Sequence, residues 1–142
     1  MKRIDLVFGL FITILLAACG GNNASPTVRD AWARPADSGQ NSAVYFVIEN
    51  PGAADTLTGV SGDVAEAVEM HRSVMADDGT MKMEHQMSIP VPAKGSLEFK
   101  PGGYHVMLIT LKRTLAVGDT FQVVLHFQNT GDIPIEVTVR QP

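Results

Sequence analysis

Beyond residue 26, apolar and polar residues tend to alternate along the chain, and this pattern predicts β-strands. In segment 133–140 every second residue from Ile135 onward is aliphatic and its neighbours are polar. Segments 43–49 and 120–128 are rich in Val, Ile, Phe and Thr, which favour strands. Turn-forming sequences of Asn, Asp, Pro and Gly recur between such runs, at 50–52, 77–79, 101–103, 118–119 and 129–131. Short strands at this spacing predict an all-β sandwich or barrel.

Segment 63–70 is the best candidate for a helix, about two turns long. It could equally be a strand with Val64, Glu66 and Val68 on one side. We therefore expect eight or nine strands, no substantial helix, and a single domain over residues 26–142. A Greek-key β-sandwich is the common arrangement of such strands.

The first 18 residues have the composition of an export signal. Lys2 and Arg3 precede an uncharged run of 13 residues, 6–18. A membrane-spanning helix needs about 20 apolar residues, so this run is too short to span. It ends in Leu-Ala-Ala-Cys at 16–19, which resembles the lipobox of bacterial lipoproteins, whose cysteine receives a diacylglycerol. An ordinary secretory signal cleaved near Ala18 is the alternative.

Cys19 is the only cysteine in the chain, and this favours lipidation. A free thiol would be left unpaired in an oxidising compartment, whereas acylation removes it. Gly20 follows, rather than the aspartate that retains some lipoproteins at the inner membrane. We expect a membrane-anchored periplasmic lipoprotein, for which the outer membrane is allowed, with residues 19–25 as a lipidated polar tether.

Methionine and histidine are concentrated in one part of the sequence, and the chain has seven and four of them respectively. Methionine alone is an ordinary core filler. The alternation of these residues with polar ones argues against that reading, because in a strand they share one face, and a buried imidazole needs partners for both nitrogens. The residues that share such faces are Met81, Met83, His85 and Met87, and separately His105 and Met107.

Thioether sulfur and neutral imidazole are soft ligands that favour copper(I) over zinc, calcium or magnesium. Carboxylates are absent from these faces except at their margins, so hard cations have little to bind. Methionine also forms no disulfide in the periplasm. The sequence therefore predicts a copper(I) site. A lipoprotein interaction module in which the methionines only pack is the alternative.

The spacing of four of these residues resembles the signature of the PCu(A)C family of periplasmic copper chaperones. That signature is His, an optional Met, ten residues, Met, twenty-one residues, then His-x-Met. Here Arg72 occupies the optional position after His71, ten residues lead to Met83, and twenty-one more lead to His105 and Met107. Segments 30–34, 43–45 and 101–105 are also similar to the family.

The resemblance implies a cupredoxin-like β-sandwich that binds one copper(I) per chain near its surface through His71, Met83, His105 and Met107. It also implies delivery of copper toward the copper centres of cytochrome oxidase, often alongside Sco-type thiol proteins. We expect a monomer. The chain ends at Pro142 without the His- and Met-rich tail of some family members, so one site is expected. A periplasmic copper-storage or tolerance protein is the alternative function.

Several neighbouring residues have less certain places in this scheme. Met81 points the same way as Met83 and is the alternative ligand. We interpret His85 and Met87 as part of the surrounding shell or core, and Met75 as an exposed auxiliary ligand in a loop.

Three further residues carry expectations about packing. Met70 should face away from His71 if that segment is extended. His126, in an apolar strand, is interpreted as a structural histidine with satisfied nitrogens. Trp32, the only tryptophan, should fill the core with its indole N–H bound to a carbonyl.

Other function classes find little support in the sequence. With 11 Lys and Arg against 15 Asp and Glu, the net charge is -4, and no basic patch is available for nucleic acid. No Gly-x-Ser-x-Gly, His-Glu-x-x-His or paired-carboxylate pattern occurs, so we do not expect an enzyme. An electron-transfer blue copper site needs a Cys thiolate, and Cys19 lies ahead of the predicted domain.

Overall fold

The computed structural model describes residues 24–142, which contain ten β-strands. Within this range no helix is long and apolar enough to cross a bilayer. The strands are β1 Thr27–Ala33, β2 Ser42–Asn50, β3 Asp55–Ser61, β4 Ala65–Met75, β5 Met81–His85, β6 Ile89–Val91, β7 Gly95–Phe99, β8 Tyr104–Leu111, β9 Thr120–Phe127 and β10 Gly131–Val139.

The ten strands form one hydrogen-bonded sheet in the order β5-β4-β8-β7-β2-β1-β10-β9-β3-β6, and β8 pairs with β2 as well. Most neighbours are antiparallel, but β1 runs parallel to β10. Although β4 and β3 lie near opposite ends of this order, they are in contact. The sheet therefore curls on itself and encloses one core, as the prediction of an all-β, single-domain fold requires.

The core is lined by aliphatic and aromatic residues on the inner face of the curled sheet. Val44, Phe46 and Ile48 of β2 are almost fully buried, and Phe46 stacks on Phe99 of β7 with ring centroids 4.3 Å apart. Burial of each such side chain contributes about 1.5–3 kcal/mol. This packing holds β2 against β7. β8 pairs with β2 as well, and its outer face carries His105 and Met107.

A tight turn places β5 beside β4 at the edge of the sheet. Asp78 Oδ1 accepts hydrogen bonds from the backbone N–H of Thr80 (3.0 Å) and from Thr80 Oγ1 (2.6 Å). Gly79 has a φ of 81°, which glycine adopts without steric strain. The resulting register sets Met75 opposite Met81 and Ser73 opposite Met83.

Residues 65–70 of segment 63–70 belong to strand β4, which begins at Ala65, and the helical alternative is wrong. Met70 is buried, with an exposed fraction of 3%, and His71 faces the other side, as predicted. The ten strands exceed the eight or nine expected. The short strand β6 contains Pro90, which lacks an N–H for a ladder but is tolerated at a sheet edge.

The predicted signal peptide, residues 1–18, lies outside the described residues, and so does Cys19 with the start of the predicted tether. Ala24 and Ser25, the last two tether residues, are exposed and precede β1 without regular secondary structure.

Candidate metal centre

Three histidines form a row across the outer face of β5, β4 and β8. His71 of β4 is the register partner of His85 on one side and of His105 on the other. The ring centroids of His71 and His105 are 5.9 Å apart, and those of His71 and His85 are 5.6 Å apart. Two imidazoles that bind one ion through metal–nitrogen bonds of about 2 Å have centroids about 6 Å apart or less. His71 and His105 are therefore close enough to share an ion.

His105 is buried, with an exposed fraction of 3%. Its Nδ1 lies 3.2 Å from the carbonyl oxygen of Gly103, which can only accept, so Nδ1 carries the proton. Nε2 is then unprotonated, and it is buried without a hydrogen-bond partner. This tautomer directs a free lone pair into the protein, as a metal ligand requires.

His71 is arranged in the same way with the two nitrogens exchanged. Its Nε2 lies 2.9 Å from Oε2 of Glu69, and a carboxylate accepts, so Nε2–H donates. Nδ1 is buried and has no partner. A hydrogen bond to the far nitrogen of a metal-binding histidine fixes its orientation and raises its basicity.

Unpaired buried nitrogens are rare in folded proteins because each costs about 1–3 kcal/mol. Among the described residues, the only buried side-chain nitrogen or oxygen atoms without a partner are His71 Nδ1 and His105 Nε2. Their coincidence at one place fits a site that binds an ion there.

His126 provides an internal contrast. Its Nε2 lies 2.8 Å from Ser61 Oγ and its Nδ1 lies 2.7 Å from Asp132 Oδ1, so both nitrogens have partners. The prediction that its nitrogens are satisfied is confirmed, and no lone pair of His126 is left for a metal.

A cleft of about 290 Å³ opens beside His105. Met107, two residues along β8, and Met83 of β5 both border it, so three of the four predicted ligands meet there. His71 and Met81 are absent from the residues that line this cleft. His71 is connected to the site through His105, whose ring centroid lies 5.9 Å from its own. The other lining residues are Arg34, Pro35, Asn41, Ser42, Ala43, Tyr45, Ser73 and Gly102.

Most of the methionines on these strands are exposed. Met75, Met81, Met83 and Met87 are all exposed, and so is His85; only Met70 is buried, while Met107 is partly buried. His85 and Met87 are therefore not core residues, because β5 is an edge strand that nothing in residues 24–142 covers on this face. Their interpretation as part of the shell around the site stays a prediction. Met75 is the last residue of β4 rather than a loop residue, and it is exposed as expected.

The electrostatics of the cleft favour neutral His105. Burial lowers the pKa of His105, and this outweighs the hydrogen bond to Gly103, which acts in the opposite direction. The neighbouring His71 and Arg34 lower this pKa further. Neutral imidazole is the form that binds a metal.

Aromatic and charged residues around the cleft were not anticipated. Tyr45 of β2 lies beside His105 (ring centroids 6.5 Å apart), and the Arg34 guanidinium lies 5.5 Å from the Tyr45 ring centroid. Burial raises the pKa of Tyr45, which keeps its hydroxyl protonated. The alternation around residues 43–45 marks a strand, but it does not indicate that β2 pairs with β8.

Trp32 is only partly buried, so the prediction that it fills the core is wrong. It lies between Tyr45, at a centroid distance of 4.8 Å, and the Arg140 guanidinium, at 5.0 Å. A cation over an indole face is favourable, and this accounts for a large aromatic at the rim of the sheet.

Glu69 was also missed as a contributor. It lies on the same face as His71, two residues earlier in β4, at the margin of the cluster. Glu69 precedes His71 by two residues, and in a strand this spacing indicates that the two side chains share a face. Within residues 24–142 no three His, Cys, Asp or Glu side chains form a metal-binding group.

A family model of LpqE-like lipoproteins matches residues 26–139. The chain belongs to the LpqE-like lipoprotein family. Two relatives are similar to this chain over most of its length. A protein of Leifsonia xyli subsp. xyli that is named as a lipoprotein is 29% identical over 114 residues, covering 80% of this chain and 68% of its own. An uncharacterized protein of Rickettsia prowazekii is 33% identical over 115 residues, covering 76% and 62%.

Solved structures similar to this LpqE-like chain include PCuAC domains. The apo PCuAC domain of PmoF1 is 25% identical, covers 84% of this chain and 96% of its own, and has a TM-score of 0.67. The copper-bound PCuAC domain of PmoF2 is 22% identical, covers 84% and 95%, and has a TM-score of 0.68. The copper(I) form of DR1885 from Deinococcus radiodurans is 25% identical, covers 87% and 83%, and has a TM-score of 0.59. The similarity to PCu(A)C proteins and the cupredoxin-like fold are confirmed.

Proposed function

We propose that this protein is a copper(I) carrier whose ion is bound by His71 Nδ1, His105 Nε2 and the thioethers of Met83 and Met107. The observation that supports this most is the pair of buried imidazole nitrogens without partners, beside a cleft bordered by both methionines. An ion bound between the two rings, at the edge of the cleft, would supply the partner that both nitrogens lack.

The donor set favours copper(I) over other ions. Two neutral imidazoles and two thioethers are soft and uncharged, so a monovalent soft ion binds at a low electrostatic cost. The carboxylate of Glu69 hydrogen-bonds to His71 and offsets the single positive charge from outside the donor set. Copper-bound relatives with this fold support the same choice, since both a PmoF2 domain and DR1885 are described with copper.

The unequal exposure of the ligands allows copper to be released stepwise. His105 is buried and held by Gly103, whereas Met83 is exposed on an edge strand. An acceptor's ligand can therefore replace Met83 first while the histidines still hold the ion. This stepwise exchange is a carrier's requirement, and no catalytic step is part of the proposal.

The setting of this activity is the periplasm. The family is one of lipoproteins, and we propose that residues 1–18 are the signal peptide, that Cys19 carries the lipid, and that 19–25 tether the domain of 26–142 to a membrane, the outer membrane being allowed. The proposed recipients are copper centres of cytochrome oxidase, with Sco-type thiol proteins as partners, and the carrier acts as a monomer.

A copper(I) competition titration tests the site. The full chain in mild detergent is titrated anaerobically against a chromophoric copper(I) chelator. We expect one tightly bound copper(I) per chain, a loss of tight binding in His105→Ala and in Met107→Ala, and no change in His126→Ala, whose histidine lies outside the cleft. Tight binding that survives in both cleft variants, with an unaltered circular dichroism spectrum, would refute the proposal.

A further inference from the structure

The exposed methionines of the β4–β5 hairpin are not explained by packing. Of the five large hydrophobic residues exposed within residues 24–142, four are methionines, with exposed fractions of 67% for Met75, 56% for Met81, 61% for Met83 and 78% for Met87. Side chains this exposed gain little from the hydrophobic effect. The core is instead filled mainly by Val, Leu, Ile and Phe. The hairpin methionines therefore need another reason.

Three of these methionines share one face at the turn end of the hairpin. Met75 and Met81 are direct register partners across β4 and β5. Directly opposed residues have Cβ atoms about 4.5–5.5 Å apart, which lets two long thioether side chains converge on one point. Met83 follows Met81 by two residues and so lies on the same face, about 7 Å further along the strand.

We propose that Met75, Met81 and Met83 form an outer copper(I) site, which receives the ion and passes it to the inner centre at His71 and His105. The inference rests on the proposed function, because it extends the same cluster of soft donors. Three neutral thioethers select copper(I) and bind it more weakly than a set that includes two imidazoles. Asp77 and Asp78, exposed in the turn beside this site, attract a cation toward it.

Met83 connects the two sites. It borders the inner cleft together with His105 and Met107, and it is also the nearest methionine along β5 to Met81. During the transfer Met83 stays bound to copper(I). The thioethers of Met75 and Met81 dissociate from the ion. The nitrogens of His71 and His105 and the thioether of Met107 bind in their place. The oxidation state of the ion does not change, and the receiving nitrogens are already unprotonated.

The position of the hairpin suits a receiving site. β5 is the terminal strand of the sheet order, so one side of the hairpin has no neighbouring strand among the described residues. A donor protein can approach Met75 and Met81 without displacing Tyr45 or Arg34, which flank the inner cleft. The outer site therefore separates capture from tight binding.

The double variant Met75→Leu/Met81→Leu tests the inference, because leucine keeps the size of methionine and removes the sulfur. Copper(I) is supplied from a weak chelator complex to the full chain, and both stoichiometry at excess copper and loading rate are measured. We expect the wild type to bind a second, weaker copper(I), and the double variant to lose it. The variant should load the inner centre on the order of tenfold more slowly, within the range over which mutants alter association rates. Its tight affinity should stay unchanged.

Met87→Leu is the matched control, since Met87 is at least as exposed as the others but lies beyond the end of β5. It should load at the wild-type rate. A His105→Ala/Met107→Ala variant should keep only the weak copper(I). If the wild type binds a single copper(I) and the double variant loads as fast as it does, the outer site is refuted while the inner one stands. Absence of any copper binding by the wild type would instead refute the proposed function.

Discussion

His71 and His105 are register partners on β4 and β8, and each has one nitrogen hydrogen-bonded while the other is buried without a partner. The hydrogen-bonded nitrogen is Nε2 in His71 and Nδ1 in His105. The nitrogen left for an ion is therefore Nδ1 in His71 and Nε2 in His105. Each bond fixes both the tautomer and the ring orientation. The pair is therefore prearranged for an ion before any ion arrives, and little reorganisation is needed on binding.

Glu69 should act as a positioning residue for His71. Its carboxylate accepts the Nε2–H bond that leaves Nδ1 unprotonated. Removal of a group that orients a metal-binding histidine lowers metal affinity about 10- to 100-fold, and we expect a loss of this size in Glu69→Ala. Glu69→Gln retains an amide oxygen that can accept the same bond, so it should recover most of the affinity. Competition titration measures both.

A merely structural role of Glu69 would give a different result. In that case the alanine variant would show a lower melting temperature with no specific loss of copper, and glutamine would not restore binding. Glu98 of β7 offers a control, because its carboxylate pairs with the Lys100 ammonium at 2.8 Å and neither residue lines the cleft. Glu98→Ala should therefore remove an exposed ion pair without changing copper affinity.

Met83 should be the first methionine ligand rather than Met81, because only Met83 borders the cleft with His105 and Met107. Met83→Leu should weaken tight copper(I) binding by more than about tenfold, since loss of a ligand costs at least as much as loss of a group that orients one. Met81→Leu should leave the tight affinity within about twofold of wild type, the spread usual for exposed substitutions. A reversed order of the two effects would assign the site to Met81.

Alternation in the sequence predicts which residues share a face within one strand, whereas the set of His71, Met83, His105 and Met107 was implied by the resemblance to the PCu(A)C family. The 71 and 105 positions belong to strands separated by β5, β6 and β7, however, and nothing local indicates that β4 pairs with β8. The solvent exposure of the β5 side chains could not be predicted either. The pattern indicates that Met81, Met83 and His85 share one face, but only the sheet order shows that β5 is an edge strand. For the same reason Trp32, at the rim beside Arg140, was assigned to the core.

The residues that orient the ligands were harder to predict than the ligands. Gly103 contributes a carbonyl oxygen, which carries no side-chain signal, and its contact with His105 depends on the turn before β8. Glu69 was visible as a neighbour of His71, but a carboxylate beside a strand histidine is common on exposed faces. Which nitrogen it would bind follows only from the coordinates.

Copper(I) affinity should fall as the pH is lowered. Protons compete with copper(I) for an imidazole nitrogen, so a histidine ligand that must lose its proton adds about one logarithmic unit of affinity loss per pH unit below its pKa. Burial is the main reason why the pKa of His105 is lowered. Protons therefore begin to compete with copper(I) for this histidine only below the ordinary histidine value of about 6.5. The affinity should be level above pH 7 and decline below about 6. An affinity that stays level from pH 7.5 to pH 5 would exclude imidazole ligands.

Asp55 should stabilise the fold independently of copper. It is buried at the start of β3, where burial alone would raise its pKa. Hydrogen bonds from Thr130, Thr56 and Asn129 outweigh burial and lower the pKa to about 2. Since an unfolded aspartate titrates near 3.9, the ionised form stabilises the folded state by roughly 2 kcal/mol at neutral pH.

This contribution has a definite pH dependence. It is complete above about pH 5, where Asp55 is ionised in both the unfolded and the folded state, and it is lost as the pH falls toward 2 and the folded carboxylate takes up its proton. Asp55→Asn, which cannot ionise, should lower the free energy of unfolding in urea by roughly 2 kcal/mol at pH 7 and by less at pH 3. Glu136→Gln, on an exposed position of β10, is the control. If Asp55→Asn lowered the free energy of unfolding by the same amount at both pH values, the charge of the carboxylate would not be the source of the stabilisation.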